Sequence, residues 1–138
     1  MRESVGCLLL HGYGGSPYEM QGLADQLRHQ GCEVEVPVLP GHGKTLEALQ
    51  ATGFQDWQEA ALQAYDRLAA RTGACFVLGL SMGGALSLAV AQQRRPTGII
   101  TIAAPVFLYR YFPFQATDWR LPFVPLLRFF RPMWPTGT

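Results

Sequence analysis

A chain of 138 residues, 49% of them apolar and 15% charged, has the composition of one globular domain with a real core, of α/β or α+β type. Eleven basic against ten acidic residues leave a formal charge of +1, which excludes the strong positive field of a nucleic-acid binder. Cys7, Cys32 and Cys75 have neither CxxC spacing nor an even count, and the apolar run near the N-terminus is too short for a secretory leader, so the expected compartment is a reducing cytoplasm.

In chain order, residues 5–10 (VGCLLL) form a continuous apolar run ending in HGYGGS, the pattern of a strand buried on both faces and followed by a glycine loop. Ser16, Pro17 and Glu19 then match the S-x-x-E capping box with proline at the first helical position. Met20, Leu23, Ala24 and Leu27 repeat on one face up to Gly31, which predicts a helix. Residues 33–38 (EVEVPV) alternate, with Val34, Val36 and Val38 on one face, and Pro37 confines such a strand to a sheet edge.

After the LPGHG turn, Trp57, Ala61, Ala64 and Leu68 mark a second amphipathic helix, closed by Gly73. Residues 75–78 read as a strand, which GLSMGG converts into a helix from Met82 to about Gln93; its apolar residues run nearly all round, so it should be buried. Residues 98–102 (GIITI) are a further strand. The order β-α-β-α-β-α-β implies a parallel sheet with right-handed crossovers and helices on both faces. No stretch is a clean membrane-spanning helix.

GLSMGG, residues 79–84, has the form G-x-S-x-G. In that form the serine sits on a sharp strand-to-helix turn; Gly79 and Gly83, having no side chains, let backbone segments pass closely so that Ser81 projects outward. The hydroxyl then lies at a helix N-terminus, where unpaired N–H groups favour developing negative charge, and the Met82 N–H becomes one candidate oxyanion donor. The rival reading is a helix N-cap with a core-packing glycine; the strand before, the apolar helix after and HGYGG upstream favour a nucleophile.

His11 and His42 follow strands and so belong at the same end of the sheet as Ser81; they read as loop braces, with His42 the outside candidate for a substitute base. His29, at a helix end before Gly31, reads as a surface or C-cap histidine. The spacings do not support a zinc site, and no cofactor is implied.

The blocks VGCLLLHGYGGSPYEMQGLADQL, VEVPVLPGHGKTLEAL, FQDWQEAALQAYDRL and FVLGLSMGGALSLAVA resemble consecutive blocks of the α/β-hydrolase superfamily, in its bacterial carboxylesterase and monoacylglycerol-lipase branch, over roughly residues 4–106. The resemblance implies a three-layer α/β-hydrolase fold, a parallel sheet with helices on both faces, incomplete and with about four strands. It implies cleavage of carboxylic esters, monoacylglycerols or short to medium acyl esters, through an acyl-enzyme on Ser81. The Tyr13 N–H, in the oxyanion loop that includes His11 and Gly12, would join the Met82 N–H in holding the oxyanion.

The triad is where the sequence departs from that pattern. After Ser81 there is one carboxylate, Asp118, and no histidine, so the triad Asp and His are expected beyond residue 138. The competing expectation is a truncated or degenerate hydrolase that binds an apolar ligand or partner without catalysis. Acyl transfer and thioester cleavage remain open on the same elbow.

Residues 1–106 are read as the N-terminal part of the core and residues 107–138 as the start of a cap. From Ala104 onward the chain holds six of the ten prolines and ten of the sixteen aromatic residues. Such a segment suits a lid over an acyl pocket, stranded core surface, self-association or weak lipid contact.

Overall fold

The structure is a computed structural model that describes residues 4–104. Asp118 and the expected cap segment, residues 107–138, lie outside the described residues.

Four strands, β1 (Val5–Leu10), β2 (Glu33–Glu35), β3 (Ala74–Leu80) and β4 (Gly98–Ile102), form one parallel sheet in the order β2-β1-β3-β4. Between them run a 3-10 turn (Pro17–Met20) and helices α1 (Gln21–His29), α2 (Leu46–Gln50), α3 (Phe54–Ala69) and α4 (Met82–Gln93). The chain leaves β1 in one direction to form β2 and returns to the other side of β1 to form β3. The strand order therefore reverses between β1 and β3, and ligands of open α/β sheets bind at the carboxyl ends of such strands.

The apolar run of β1 divides between two cores because successive side chains point to opposite faces. Leu8 and Leu10, with Cys75 and Val77 of β3, pack beneath α3 and α4 against Trp57, Ala61, Ala64, Leu68, Leu86 and Val90. Cys7 and Leu9, with Leu78, pack on the other face against Met20 and Ala24. These are the three layers the sequence predicts. The pairing of Leu8 with Val77 and of Leu10 with Gly79 brings the carboxyl ends of β1 and β3 side by side.

Three local expectations need correction, and one element, α2, is added. β2 stops at Glu35, because Pro37 can neither donate to a ladder nor extend one, and Val38 is exposed. Leu23 is also exposed, so α1 buries a narrower stripe than its sequence suggests. The five-residue helix α2, capped by Thr45 Oγ accepting from the Ala48 N–H at 3.3 Å, is too short to announce itself by periodicity. The segment after Ser16 begins as a 3-10 turn, with Ser16 Oγ accepting from the Tyr18 N–H and the Glu19 side chain turned elsewhere.

Outside the cores, Arg67 of α3 pairs with Glu35 and Arg71, in the turn after α3, pairs with Glu33, tying that end of the helix to the short strand β2. No helix among the described residues is long and apolar enough to cross a membrane.

Candidate active site

Ser81 is the residue between β3 and α4, and its backbone has φ 53° and ψ −118°, in the left-handed half of conformational space that disfavours a residue with a Cβ. Its surroundings hold it there. The Ser81 N–H donates to the Ile102 carbonyl of β4 at 2.8 Å, and the Ser81 carbonyl accepts from the Gly84 N–H at 2.8 Å.

The flanking glycines allow the turn to close. A Cβ on Gly79 would overlap the Gly83 carbonyl, and a Cβ on Gly83 would overlap the Leu10 carbonyl and come within 2.7 Å of the His11 carbonyl. The elbow thus packs directly on the end of β1. Because the Ser81 N–H is already committed to β4, the next amide is the available donor: Met82 N–H, at the first position of α4, has no intrahelical acceptor.

The loop after β1 lies against this turn. A Cβ placed on Gly12 would stand 3.6 Å from the Ser81 Cβ and 3.7 Å from the Leu80 carbonyl. The HGYGG segment closes on itself through the Gly15 N–H, which donates to the Gly12 carbonyl at 3.2 Å, and through Gly14 at φ 69°. Among the described residues the Tyr13 N–H has no hydrogen-bond acceptor.

His11 is fully buried, and both of its ring nitrogens are engaged. Nε2 accepts from the Leu39 N–H at 3.2 Å, which fixes the tautomer: the proton is on Nδ1, which donates to the Gly12 carbonyl at 3.0 Å. Burial holds the His11 pKa below the ordinary histidine value, with the neighbouring His42 acting in the same direction and the Gly12 hydrogen bond opposing. A neutral ring with no free nitrogen joins the first loop to the second and has no lone pair left for Ser81.

The LPGHG loop gathers around the Pro40 carbonyl. It accepts from Trp57 Nε1 at 3.0 Å and Thr52 Oγ at 3.1 Å, and His42 Nδ1 lies 3.0 Å away. The buried His42 Nε2 has no partner among the described residues. Its ring meets those of His11 at 4.9 Å and Trp57 at 5.3 Å edge to face, and Tyr13 in turn packs on Trp57 at 5.8 Å. No hydrogen bond among the described residues joins the Ser81 hydroxyl to a histidine, and His29 sits exposed in the last turn of α1.

Two contributors are not apparent from the sequence pattern. The spacing of Trp57 marks it as core, although a buried indole N–H requires an acceptor and so signals a polar contact. Glu19 stands at the position of a helix cap, and its carboxylate instead accepts from the Gly12 N–H at 3.2 Å. Elsewhere, burial pushes the Cys7 and Cys75 thiols up to about 11, leaving both protonated and inert near neutrality. Among the described residues no group of three or more potential ligands is arranged to hold a metal.

Comparison with known proteins finds lipase and esterase relatives. The chain is 41% identical over 103 residues to the thermostable monoacylglycerol lipase of Bacillus sp. (strain H-257), a match covering 74% of this chain and 41% of that protein. It is 32% identical over 105 residues to a carboxylesterase of Bacillus subtilis (strain 168), covering 73% of this chain and 42% of that one. Among solved structures it resembles one reported for the two metagenome-derived lipolytic enzymes LipS and LipT, at a TM-score of 0.70 and 38% identity over 74% of this chain and 44% of the other. The chain therefore spans well under half the length of each of these relatives. The model of the alpha/beta hydrolase family matches residues 7–138, and with the sheet order, the strained serine and the apposed glycine loop it shows that this chain belongs to that family.

Proposed function

We propose that the chain carries the nucleophile half of a serine esterase site, in which Ser81 attacks the carbonyl of a monoacylglycerol or of a short to medium acyl ester. The oxyanion of the tetrahedral intermediate is held by the Tyr13 and Met82 N–H groups, and an acyl-enzyme on Ser81 is then released by water. The acid and base of the triad come from outside these 138 residues. The observation that carries the reading is the conformation of Ser81, φ 53° between Gly79 and Gly83, with the glycine loop 3.6 Å from its Cβ. A strained residue at a switch point, next to unpaired amides, is what nucleophilic acyl chemistry needs and what a packing turn does not. The lipase and carboxylesterase relatives support the ester as substrate class.

One observation favours a second reading, a binding protein without turnover. His11, at the end of β1 against the elbow, has no free ring nitrogen to serve as a base. Loss of the base costs on the order of 10⁶ in turnover. Hydrolysis of a chromogenic butyrate ester and of a monoacylglycerol by the 138-residue chain in imidazole buffer, where imidazole stands in for the base outside the chain, against Ser81→Ala, separates the two readings. Imidazole-dependent turnover abolished by the substitution supports a nucleophilic Ser81. Equal rates for both proteins at every imidazole concentration refute it and leave the binding reading.

A further inference from the structure

We propose that Glu19 is a positioning residue for the oxyanion loop: its carboxylate, acting opposite the His11 ring, fixes the two peptide planes that flank Gly12 and so sets the direction of the Tyr13 N–H. The inference rests on the oxyanion role given above to Tyr13.

Gly12 is the joint of the HGYGG loop, and as a glycine it has the widest choice of φ and ψ. A donor amide carried by such a joint would wander unless both neighbouring peptides were held. The peptide is a rigid plane, with the Gly12 carbonyl and the Tyr13 N–H pointing in opposite directions on the same unit. Holding that carbonyl therefore aims the amide. Two donors hold it, His11 Nδ1 at 3.0 Å and the Gly15 N–H at 3.2 Å. The preceding peptide presents the Gly12 N–H, and this is held by Glu19 Oε2 at 3.2 Å.

The carboxylate lies under the loop, for a Cβ at Gly15 would collide with it and one at Gly12 would stand 3.6 Å from Oε2. Glu19 also occupies the neighbouring amide, the Gly12 N–H, which would otherwise stand free beside the Tyr13 N–H. The S-x-x-E spacing that resembles a capping box here serves the active-site loop, while Ser16 caps the turn alone.

Glu19 is exposed on its remaining sides, so its replacement leaves both cores intact. The test uses the ¹⁵N-labelled 138-residue chain, with backbone order parameters as one measurement and, as the other, the rate of Ser81 labelling by a fluorophosphonate in imidazole buffer, where imidazole stands in for the base outside the chain. In Glu19→Ala the order parameters of Gly12 and Tyr13 should fall from about 0.85 to below about 0.6, with Leu8, Leu9 and Leu10 unchanged. Labelling should slow about tenfold, as expected for a donor displaced by a fraction of an ångström. Glu19→Gln keeps an acceptor oxygen and should restore loop order, with labelling within about threefold of the parent. Unchanged order at Gly12 and Tyr13 in Glu19→Ala overturns the proposal, as does a loss of order spread evenly through β1. A parent chain that does not label at all contradicts the esterase reading instead, and the order parameters still decide the role of Glu19.

Discussion

The two loops that meet at the site are held by opposite means. The turn after β3 is fixed by contact: Gly79 against Gly83, Gly83 against the end of β1, and a serine forced into φ 53° between them. The loop after β1 is fixed by polar side chains, with His11 and Glu19 bonding to the two peptides of Gly12 and His11 reaching on to Leu39. A nucleophile that must stay in an unfavourable conformation needs walls, because only close packing resists relaxation of the strain. A donor that must only point in one direction needs its peptide plane pinned, and hydrogen bonds do this in a loop whose tip, Tyr13 and Gly14, is exposed.

Substitutions should break the two loops differently. The largest effect is expected at Gly83: alanine there meets two backbone carbonyls that cannot retreat, and should cost at least about 3 kcal/mol in a urea titration. An unchanged midpoint would remove the argument that the elbow is held by contact.

His11→Ala comes next, at about 2 kcal/mol, because it leaves the buried Leu39 N–H without an acceptor. The same residue gives a pH signature. Its pKa is lowered in the folded chain, so the unfolded chain takes up the proton first, and stability should fall as the pH drops below about 6.5. His11→Gln should remove that part of the pH dependence, and identical slopes in the two proteins would show that the ring is not held neutral.

Ser81→Gly should raise stability by about 1 kcal/mol, since glycine accepts the positive φ without a Cβ, whereas Ser81→Ala should not. Equal stabilities for the glycine and alanine variants would mean that the serine carries no backbone strain. The smallest contrast lies beneath the loops: Cys7 on β1 and Cys75 on β3 should both resist iodoacetamide at pH 8 in the native chain, confining alkylation to Cys32. Rapid loss of either thiol, followed by mass spectrometry, would show that one strand opens.

The same difference decides what is legible in the sequence. The elbow can be read from GLSMGG because steric necessity leaves glycine no substitute at residues 79 and 83, and the strands and long helices follow from VGCLLL, GIITI and the spacing of Trp57, Ala61, Ala64 and Leu68. The polar pins are harder to read. Glu19 stands where a helix cap or a loop acceptor would equally stand, and only the folded loop shows that the Gly12 N–H takes it. His11 and His42 look alike in sequence, each following a strand; the structure separates a ring with both nitrogens bonded from one whose Nε2 lacks a partner among the described residues. The early end of β2 is visible in Pro37, whereas α2 spans five residues and offers no period to detect.

Ser81 stands in the elbow as a nucleophile that lacks only its base. In imidazole buffer, where imidazole stands in for that base, exposure of the 138-residue chain to a fluorophosphonate followed by peptide mass mapping should give a single phosphonyl adduct on Ser81, absent from Ser81→Ala and slowed by heat denaturation. An unmodified Ser81 in a chain with native circular dichroism, or an adduct that survives the Ser81→Ala change, would contradict it.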